Sequence, residues 1–260
     1  METKGTTRKG NEPRPVEIGK YKMTFDYHTH TIFSHGEGTI EDNVKVAVSK
    51  GLGAIAITDH GPGHLTYGVK RSDFPVMREE INRLKPIYPE IEIYLGVEAN
   101  VIHAGNFLDV TKEEYPLFDF VIAGYHYGIP KGYCVSNYIQ KHLGLPDGMT
   151  RRLMVKNTEM TVRALHENNI KILTHPGDKG PFDIAEIARA CEETDTLMEL
   201  NMKHPFLTVE GIKIAAKADV KFIVSSDAHI SQRVGNFGAA LERAIEAGLD
   251  IERIVNIEKV

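Results

Sequence analysis

The sequence has few cysteines and no long apolar run. Its two cysteines, Cys134 and Cys191, are far apart and belong to no C-x-x-C pattern. They predict neither a disulfide framework nor a zinc–thiolate site, which fits a reducing compartment. No apolar stretch approaches the roughly 18 residues that a membrane-spanning helix needs, and none follows the basic N-terminus as in a secretory signal. We therefore expect a cytoplasmic protein without membrane partners.

The sequence also lacks an excess of positive charge. Its formal net charge is −5, which argues against a broad electrostatic surface for nucleic acids. No Gly-x-Gly-x-x-Gly turn follows the first predicted strand, so a dinucleotide site is not expected. With 260 residues, 42% of them hydrophobic and 26% charged, the chain suits one α/β domain. We place that domain at 23–260, after an aperiodic flexible arm at 1–22.

The apolar residues follow two alternating periodicities. Seven short runs rich in Ile, Val, Leu and Phe predict strands that are buried on both sides. These strands lie at 24–28, 53–58, 91–98, 118–125, 170–175, 196–201 and 221–226. Amphipathic stretches predict helices at 40–52, 73–85, 150–168, 183–193, 208–219 and 236–248. The alternation favours a parallel (β/α)7 TIM-like barrel, although an open doubly wound sheet would fit it too.

Histidine is the unusual residue, with 12 in the chain, and many of them follow predicted strands. The polar residues at the strand ends are, in chain order, His28, His30, His35, Asp59, His60, Glu98, His126, His175, Asn201, Asp227 and His229. In a parallel barrel the carboxyl ends of the strands meet at one rim. This list contains seven histidines and the carboxylates of Glu98 and Asp227. If these nine side chains were buried at the rim without partners, each would cost about 1–3 kcal/mol of folding free energy. Divalent metal ions resolve this, and nine ligands suit two or three ions.

These motifs resemble the PHP superfamily, which is named for polymerase and histidinol phosphatase. The resemblance is carried by His28-Thr29-His30, Ser34-His35, Thr58-Asp59-His60, Glu98, His126, His175 and Asp227-Ala228-His229. Gly-Val-Glu-Ala-Asn, Ala-Gly-Tyr-His and Thr-His-Pro-Gly are most similar to the YcdX-like stand-alone bacterial phosphatases. The resemblance implies a distorted (β/α)7 barrel with a trinuclear metal site at the C-terminal ends of the strands.

The resemblance also implies how the ligands divide among three ions. The first ion would be held by His28, His30, Glu98 and Asp227; the second by Glu98, His126 and His175; the third by His35, His60 and His229. Imidazole-rich ligation without thiolates suits Zn²⁺ first, with Mn²⁺ or Fe²⁺ as alternatives.

The expected reaction is hydrolysis of small phosphomonoesters by in-line attack of a metal-bound hydroxide. Glu98, Asp227 and His229 would take part as ligands of the catalytic ions. Asp59 could orient an imidazole N–H or cap its own loop. His64 could touch the substrate or protonate the leaving group. Arg71, Lys179, Lys203 and Arg233, in loops on the predicted rim, are candidates for phosphate binding.

Several other functions fit the same residues. A phosphodiesterase or 3′-5′ exonuclease is the nearest alternative, but the chain shows no evident basic channel for a strand. Histidinol-phosphate phosphatase, an amidohydrolase and a regulatory metal-binding module also remain open. The long segment 127–149 could be a lid or a specificity element. The sequence indicates no oligomeric state.

Overall fold

In the computed structural model, which describes residues 18–260, seven parallel strands form one sheet in chain order, from β2 to β8. The strands are β1 (Tyr21–Met23), β2 (Phe25–Asp26), β3 (Ala54–Ile57), β4 (Glu92–Asn100), β5 (Phe120–Gly124), β6 (Ile170–Leu173), β7 (Leu197–Asn201), β8 (Phe222–Ser225) and β9 (Ile257–Lys259). The α-helices are α1 (Ile40–Ser49), α2 (Phe74–Leu84), α3 (Cys134–Leu143), α4 (Asp147–Glu167), α5 (Ile184–Glu193), α6 (Val209–Ala215) and α7 (Gly238–Glu246). This arrangement confirms the predicted (β/α)7 barrel.

Local sequence explains why these elements form. Strands β3 and β8 are buried along their whole length, as expected for parallel strands with helices outside and a packed interior. Helix α1 begins at the predicted capping box, in which the side chains of Thr39 and Asp42 each accept a backbone N–H of the other residue. Inside the barrel, Ile122, Ile172 and Ile223 form a small separate apolar cluster.

The sheet closes where β2 meets β8. Thr29 forms a parallel bridge with Ala228, and the N–H of His30 donates to the carbonyl of Ala228 at 2.9 Å. The fully buried amide of Asn256 crosses the same seam. Its Nδ2 donates to the carbonyls of Phe25 and Val224, at 2.8 and 2.7 Å, while its Oδ1 accepts the N–H of Val224 at 3.0 Å. The nearly closed barrel excludes the open-sheet alternative.

Two predicted segments differ from the structure. Residues 1–17 of the predicted arm at 1–22 lie outside the described residues, but the remainder is ordered secondary structure. Residues Ile18–Lys20 form a 3₁₀ turn, and β1 pairs antiparallel with β9. The segment 127–149 is not one long loop, because it contains α3 and the start of α4. Over residues 18–260, no helix combines the length and the apolar character of a membrane span.

Because Asn256 links the first and last strands of the barrel, we expect its replacement to lower the stability of the protein strongly. We expect Asn256→Ala to lower the free energy of unfolding by about 2–4 kcal/mol, because it leaves buried backbone groups of two strands without partners. The measurement is urea unfolding followed by circular dichroism. Asn82→Ala, the same change at an exposed position of α2, is the control and should have little effect. Equal stability of the two variants would contradict the role of Asn256.

Candidate metal centre

The barrel seam brings together ligands from both ends of the domain. His28 and His30 follow β2, and Asp227 follows β8; potential ligand atoms of the three residues all lie within 4.8 Å of one another. His28 Nε2 lies 3.1 Å from His30 Nε2, which in turn lies 3.2 Å from Asp227 Oδ1. This first cluster matches three of the four ligands expected for the first ion.

Glu98, near the C-terminal end of β4, is the centre of a second cluster. Its Oε1 lies 3.3 Å from His126 Nε2 and 2.9 Å from His175 Nε2, and its Oε2 lies 2.8 Å from His60 Nδ1. Gly124 on β5 leaves room for this contact, since an added Cβ would lie 2.8 Å from His175 Cε1. Glu98 also lies 3.3 Å from His28 Nε2, so it joins the first two clusters.

The remaining two predicted ligands lie at the mouth. His30, His60 and His229 form a third group of potential ligands. The ring of His35 lies 4.8 Å from that of His60 and 4.1 Å from that of His229, measured between centroids. All nine residues are therefore gathered at one rim. The grouping differs from the expected one at His60, which lies beside Glu98 as well as beside His35 and His229.

Atoms in this rim lack the partners that burial demands. Within residues 18–260, the buried His60 Nε2 has no hydrogen-bond partner. Glu98 Oε2 and Asp227 Oδ1 lie within 3.2 Å of imidazole nitrogens, but no donor is in hydrogen-bond geometry with either oxygen. Each such atom costs about 1–3 kcal/mol unless another group satisfies it. Imidazole and carboxylate donors converging without thiolates are typical of Zn²⁺, Mn²⁺ or Fe²⁺ sites. The residues therefore fit divalent metal ions.

Burial and charge prepare these side chains for metal binding. Burial lowers the pKa values of His30, His60 and His175, so that at neutral pH the rings are uncharged and keep a free lone pair. Burial alone would also lower the pKa of His28, but Glu199 and Glu98, with Asp227, outweigh it and raise that pKa well above its usual value. The same negative charges favour a divalent cation in place of a proton.

Residues behind the ligands determine which nitrogen faces the site. His28 Nδ1 lies 2.6 Å from Glu199 Oε1, and His126 Nδ1 lies 2.7 Å from Asn100 Oδ1. We assign the proton of each ring to Nδ1, because each partner is a hydrogen-bond acceptor; the Asn100 amide is itself oriented by donating to Asp109. Each Nε2 then presents its lone pair to the cluster. These three supporting residues were not among the predicted site residues, although Glu199 and Asn100 also lie near strand ends.

Two ligands adopt a strained backbone. His175 has a φ of 30° and Asp227 a φ of 50°, both in the left-handed region that side chains disfavour. The buried carboxylate of Glu199 accepts the N–H of His175 at 2.6 Å, and the amide of Asn201 donates to both Glu199 and Asp227. Asn201, expected as a polar residue at a strand end, therefore supports two of the candidate ligands with its side chain.

Asp59 and His64 lie outside the ligand cluster. Asp59 accepts the N–H and hydroxyl of Thr31, at 2.7 and 2.6 Å, and the hydroxyl of Ser34. It therefore stabilises the turn that carries His35 and orients no imidazole. His64 stacks on Tyr67 at a centroid distance of 3.4 Å, and burial lowers its pKa to about 4. An imidazole that is neutral at pH 7 is poorly suited to protonate a leaving group.

A cavity of about 150 Å³ opens onto the cluster. Its lining consists of His35, His60, Tyr67, His126, His175, Lys179, Lys203, His204, Asp227 and His229. Of the four cationic residues expected at this rim, Lys179 and Lys203 line the cavity. Arg71, which pairs with Glu114, and Arg233 do not. His204 was not expected among the site residues: its Nε2 lies 3.5 Å from Asp227 Oδ2, and its Nδ1 lies 3.2 Å from the buried carboxylate of Asp178.

Comparison with known proteins agrees with this geometry. A model of the PHP domain matches residues 26–204. The chain belongs to the PHP family. A probable phosphatase of Thermoanaerobacter sp. strain X514 is 31% identical over 252 residues, covering 91% of each chain. A probable phosphatase of Acetivibrio thermocellus is 28% identical over 245 residues, covering 90% of this chain and 91% of that one.

Solved structures share the fold of this PHP domain at low sequence identity. Histidinol phosphate phosphatase from Lactococcus lactis, solved with zinc, L-histidinol and phosphate, has a TM-score of 0.57 at 20% identity. The match covers 88% of this chain and 95% of that one. A chain of archaeal ribonuclease P with mature tRNA has a TM-score of 0.51 at 14% identity, covering 85% and 87%. These likenesses support the barrel fold alone.

The shared position of Glu98 predicts that its charge is essential for metal binding. We expect Glu98→Gln and Asp227→Asn each to lower both the metal content and the activity, because a neutral amide binds a divalent cation far less well than a carboxylate. Metal content is measured by elemental analysis. Glu92→Gln, on the same strand but exposed, is the control. Full metal content and full activity in either site variant would show that the assigned ligands are wrong.

Glu199 predicts a separate effect on affinity. Glu199→Gln keeps the shape of the side chain but removes the charge behind His28, so we expect metal affinity at the first cluster to fall about 10–100-fold. Competition of the apoprotein with a chromogenic chelator measures this affinity without any activity assay. Glu210→Gln, exposed on α6, should bind metal as the unchanged protein does.

Proposed function

We propose that this PHP protein is a trinuclear metal-dependent phosphatase that hydrolyses small phosphomonoesters. The observation that carries the proposal is the convergence of seven histidines and two carboxylates at one rim, where six of these nine residues line a small cavity and several buried ligand atoms have no hydrogen-bond partner. The names of the relatives as probable phosphatases support the same reaction class.

The charge of the site favours a phosphate group. Bound divalent ions would lower the pKa of water to make a nucleophile and would supply positive charge for phosphate oxygens. Three ions bring about +6, of which Glu98 and Asp227 cancel about −2. The ammonium of Lys203 lies on the cavity wall, 2.9 Å from His229 Nδ1, and adds positive charge that attracts an anionic substrate. Water can attack directly, so the reaction needs no protein nucleophile.

The size of the cavity favours a small ester over a nucleic acid strand. A space of about 150 Å³ can hold a phosphate group and a few further atoms of the substrate. An exonuclease binds several nucleotides along a basic groove lined with stacking aromatics. The net charge of −5 gives the chain no general attraction for such a strand. We therefore propose monoesters as substrates and assign Zn²⁺ as the first choice among the metals, ahead of Mn²⁺ and Fe²⁺.

Elemental analysis combined with a phosphatase assay tests the proposal. We expect about three transition-metal ions per chain and hydrolysis of p-nitrophenyl phosphate, lost on chelation and restored by Zn²⁺ or Mn²⁺. Histidinol phosphate and single-stranded DNA are assayed in parallel to separate the alternative functions. One ion or none after reconstitution would refute the trinuclear site, and faster cleavage of DNA than of every monoester would identify a nuclease.

A further inference from the structure

The mouth of the cavity carries more positive charge than its carboxylate balances. Lys141 on α3 and Lys179 after β6 share Asp178: the ammonium of Lys179 contacts its Oδ2, and Lys141 Nζ lies 3.9 Å from its Oδ1. Lys203, after β7, contacts the imidazole of His229 instead, and no carboxylate pairs with it within residues 18–260. Asp227 also lines the cavity, but it is counted among the candidate metal ligands. Without it, three ammonium groups face one carboxylate, a surplus of about two positive charges that a bound anion would balance.

The position of Lys141 is built into the fold of α3. One helical turn before it, the buried Asn137 exchanges two hydrogen bonds with Asn157 of α4, at 3.0 and 2.8 Å. Residues four apart share one face of a helix, so this anchor directs Lys141 towards Asp178. The ammonium of Lys141 also lies 4.5 Å from the ring centroid of Phe206.

This arrangement leaves Lys179 available for a ligand. Asp178 is 1% exposed, and its two oxygens are surrounded by Lys141, Lys179 and the ring of His204. Lys141 and His204 also contact Asp178. The single negative charge of this carboxylate is therefore shared and does not serve Lys179 exclusively. Lys179 and Lys203 both line the cavity, so a ligand that enters it meets both ammonium groups.

We infer that the leaving group of the substrate carries a second anionic group, a carboxylate or a further phosphate, which binds Lys179 and Lys203 at the mouth. The inference rests on the proposed function for the hydrolysed phosphate itself. That phosphate carries about −1.5 to −2 at pH 7 and meets the metal ligands on the cavity floor. The surplus at the mouth therefore selects among phosphomonoesters. Lys141 acts through Asp178 and is a positioning residue.

Binding of non-hydrolysable ligands tests the inference without relying on turnover. The metal-loaded protein is titrated calorimetrically with benzylphosphonate, para-carboxybenzylphosphonate and para-xylylene bisphosphonate. We expect one or both of the ligands with a second anion to bind about tenfold tighter than benzylphosphonate, and this advantage to shrink as salt is added. The tighter of the two indicates whether a carboxylate or a phosphate is preferred.

Substitution of Lys179 tests whether the tighter binding of dianionic ligands depends on the lysines at the mouth of the cavity. We expect Lys179→Met to abolish most of the advantage while its metal content, measured by elemental analysis, stays that of the unchanged protein. Lys171→Met, at an exposed position near the other end of the barrel on β6, should retain the advantage. Equal affinity for all three ligands, or an undiminished advantage in Lys179→Met, would overturn the inference.

The outcomes separate this inference from the proposed function. Hydrolysis of p-nitrophenyl phosphate without any preference for a second anion would leave the phosphatase intact and reject the anion subsite. A preference that depends on Lys179, in a metal-loaded protein that hydrolyses no phosphomonoester, would support the subsite and reject the phosphatase.

Discussion

Closure of the barrel between its first and last strands is the contact on which the rest of the site depends. β2 has only two residues, so the contact between the first and last strands depends largely on the hydrogen bonds of Asn256 and on the bridge from Thr29 to Ala228. His28 lies on one side of this joint and Asp227 on the other. A divalent ion that binds both would add its binding free energy to closure, so metal binding and folding are coupled.

Two buried glutamates, Glu98 and Glu199, have different roles inside the barrel. Glu98 lies among imidazole nitrogens, and its Oε2 accepts no hydrogen bond of good geometry, whereas Glu199 uses both oxygens to accept hydrogen bonds within the protein. Glu199 orients His28 and supports the strained backbone of His175 at once. The same residue type thus serves either as ligand or as support, depending on whether its oxygens retain free acceptor capacity.

The sequence allowed the barrel, and the gathering of the nine candidate ligands at one rim, to be predicted because both follow from local rules. Apolar periodicity identifies the strands, and the rule that barrel sites lie at strand ends collects the ligands. The pairing of β1 with β9 depends on contacts between distant residues. The segment around α3 was predicted as a loop because glycines at 128, 132, 144 and 148 flank this helix. The role of Asp59 could not be predicted for a related reason: its partners, Thr31 and Ser34, are defined only once two loops meet.

The residues that the sequence did not reveal have a common place in the molecule. Asp178 and His204 lie in loops beyond the strand ends, and α3 stands outside them. Catalysis by bound metal ions requires ligand side chains at defined distances, and rigid strands provide this. Selectivity for a substrate requires only a suitable charge and shape at the mouth of the cavity, which loops can provide. Loops can vary there without disturbing the ligand geometry. Two proteins with the same inner ligands can therefore differ in substrate through the charges at the mouth, which in this chain surround Asp178.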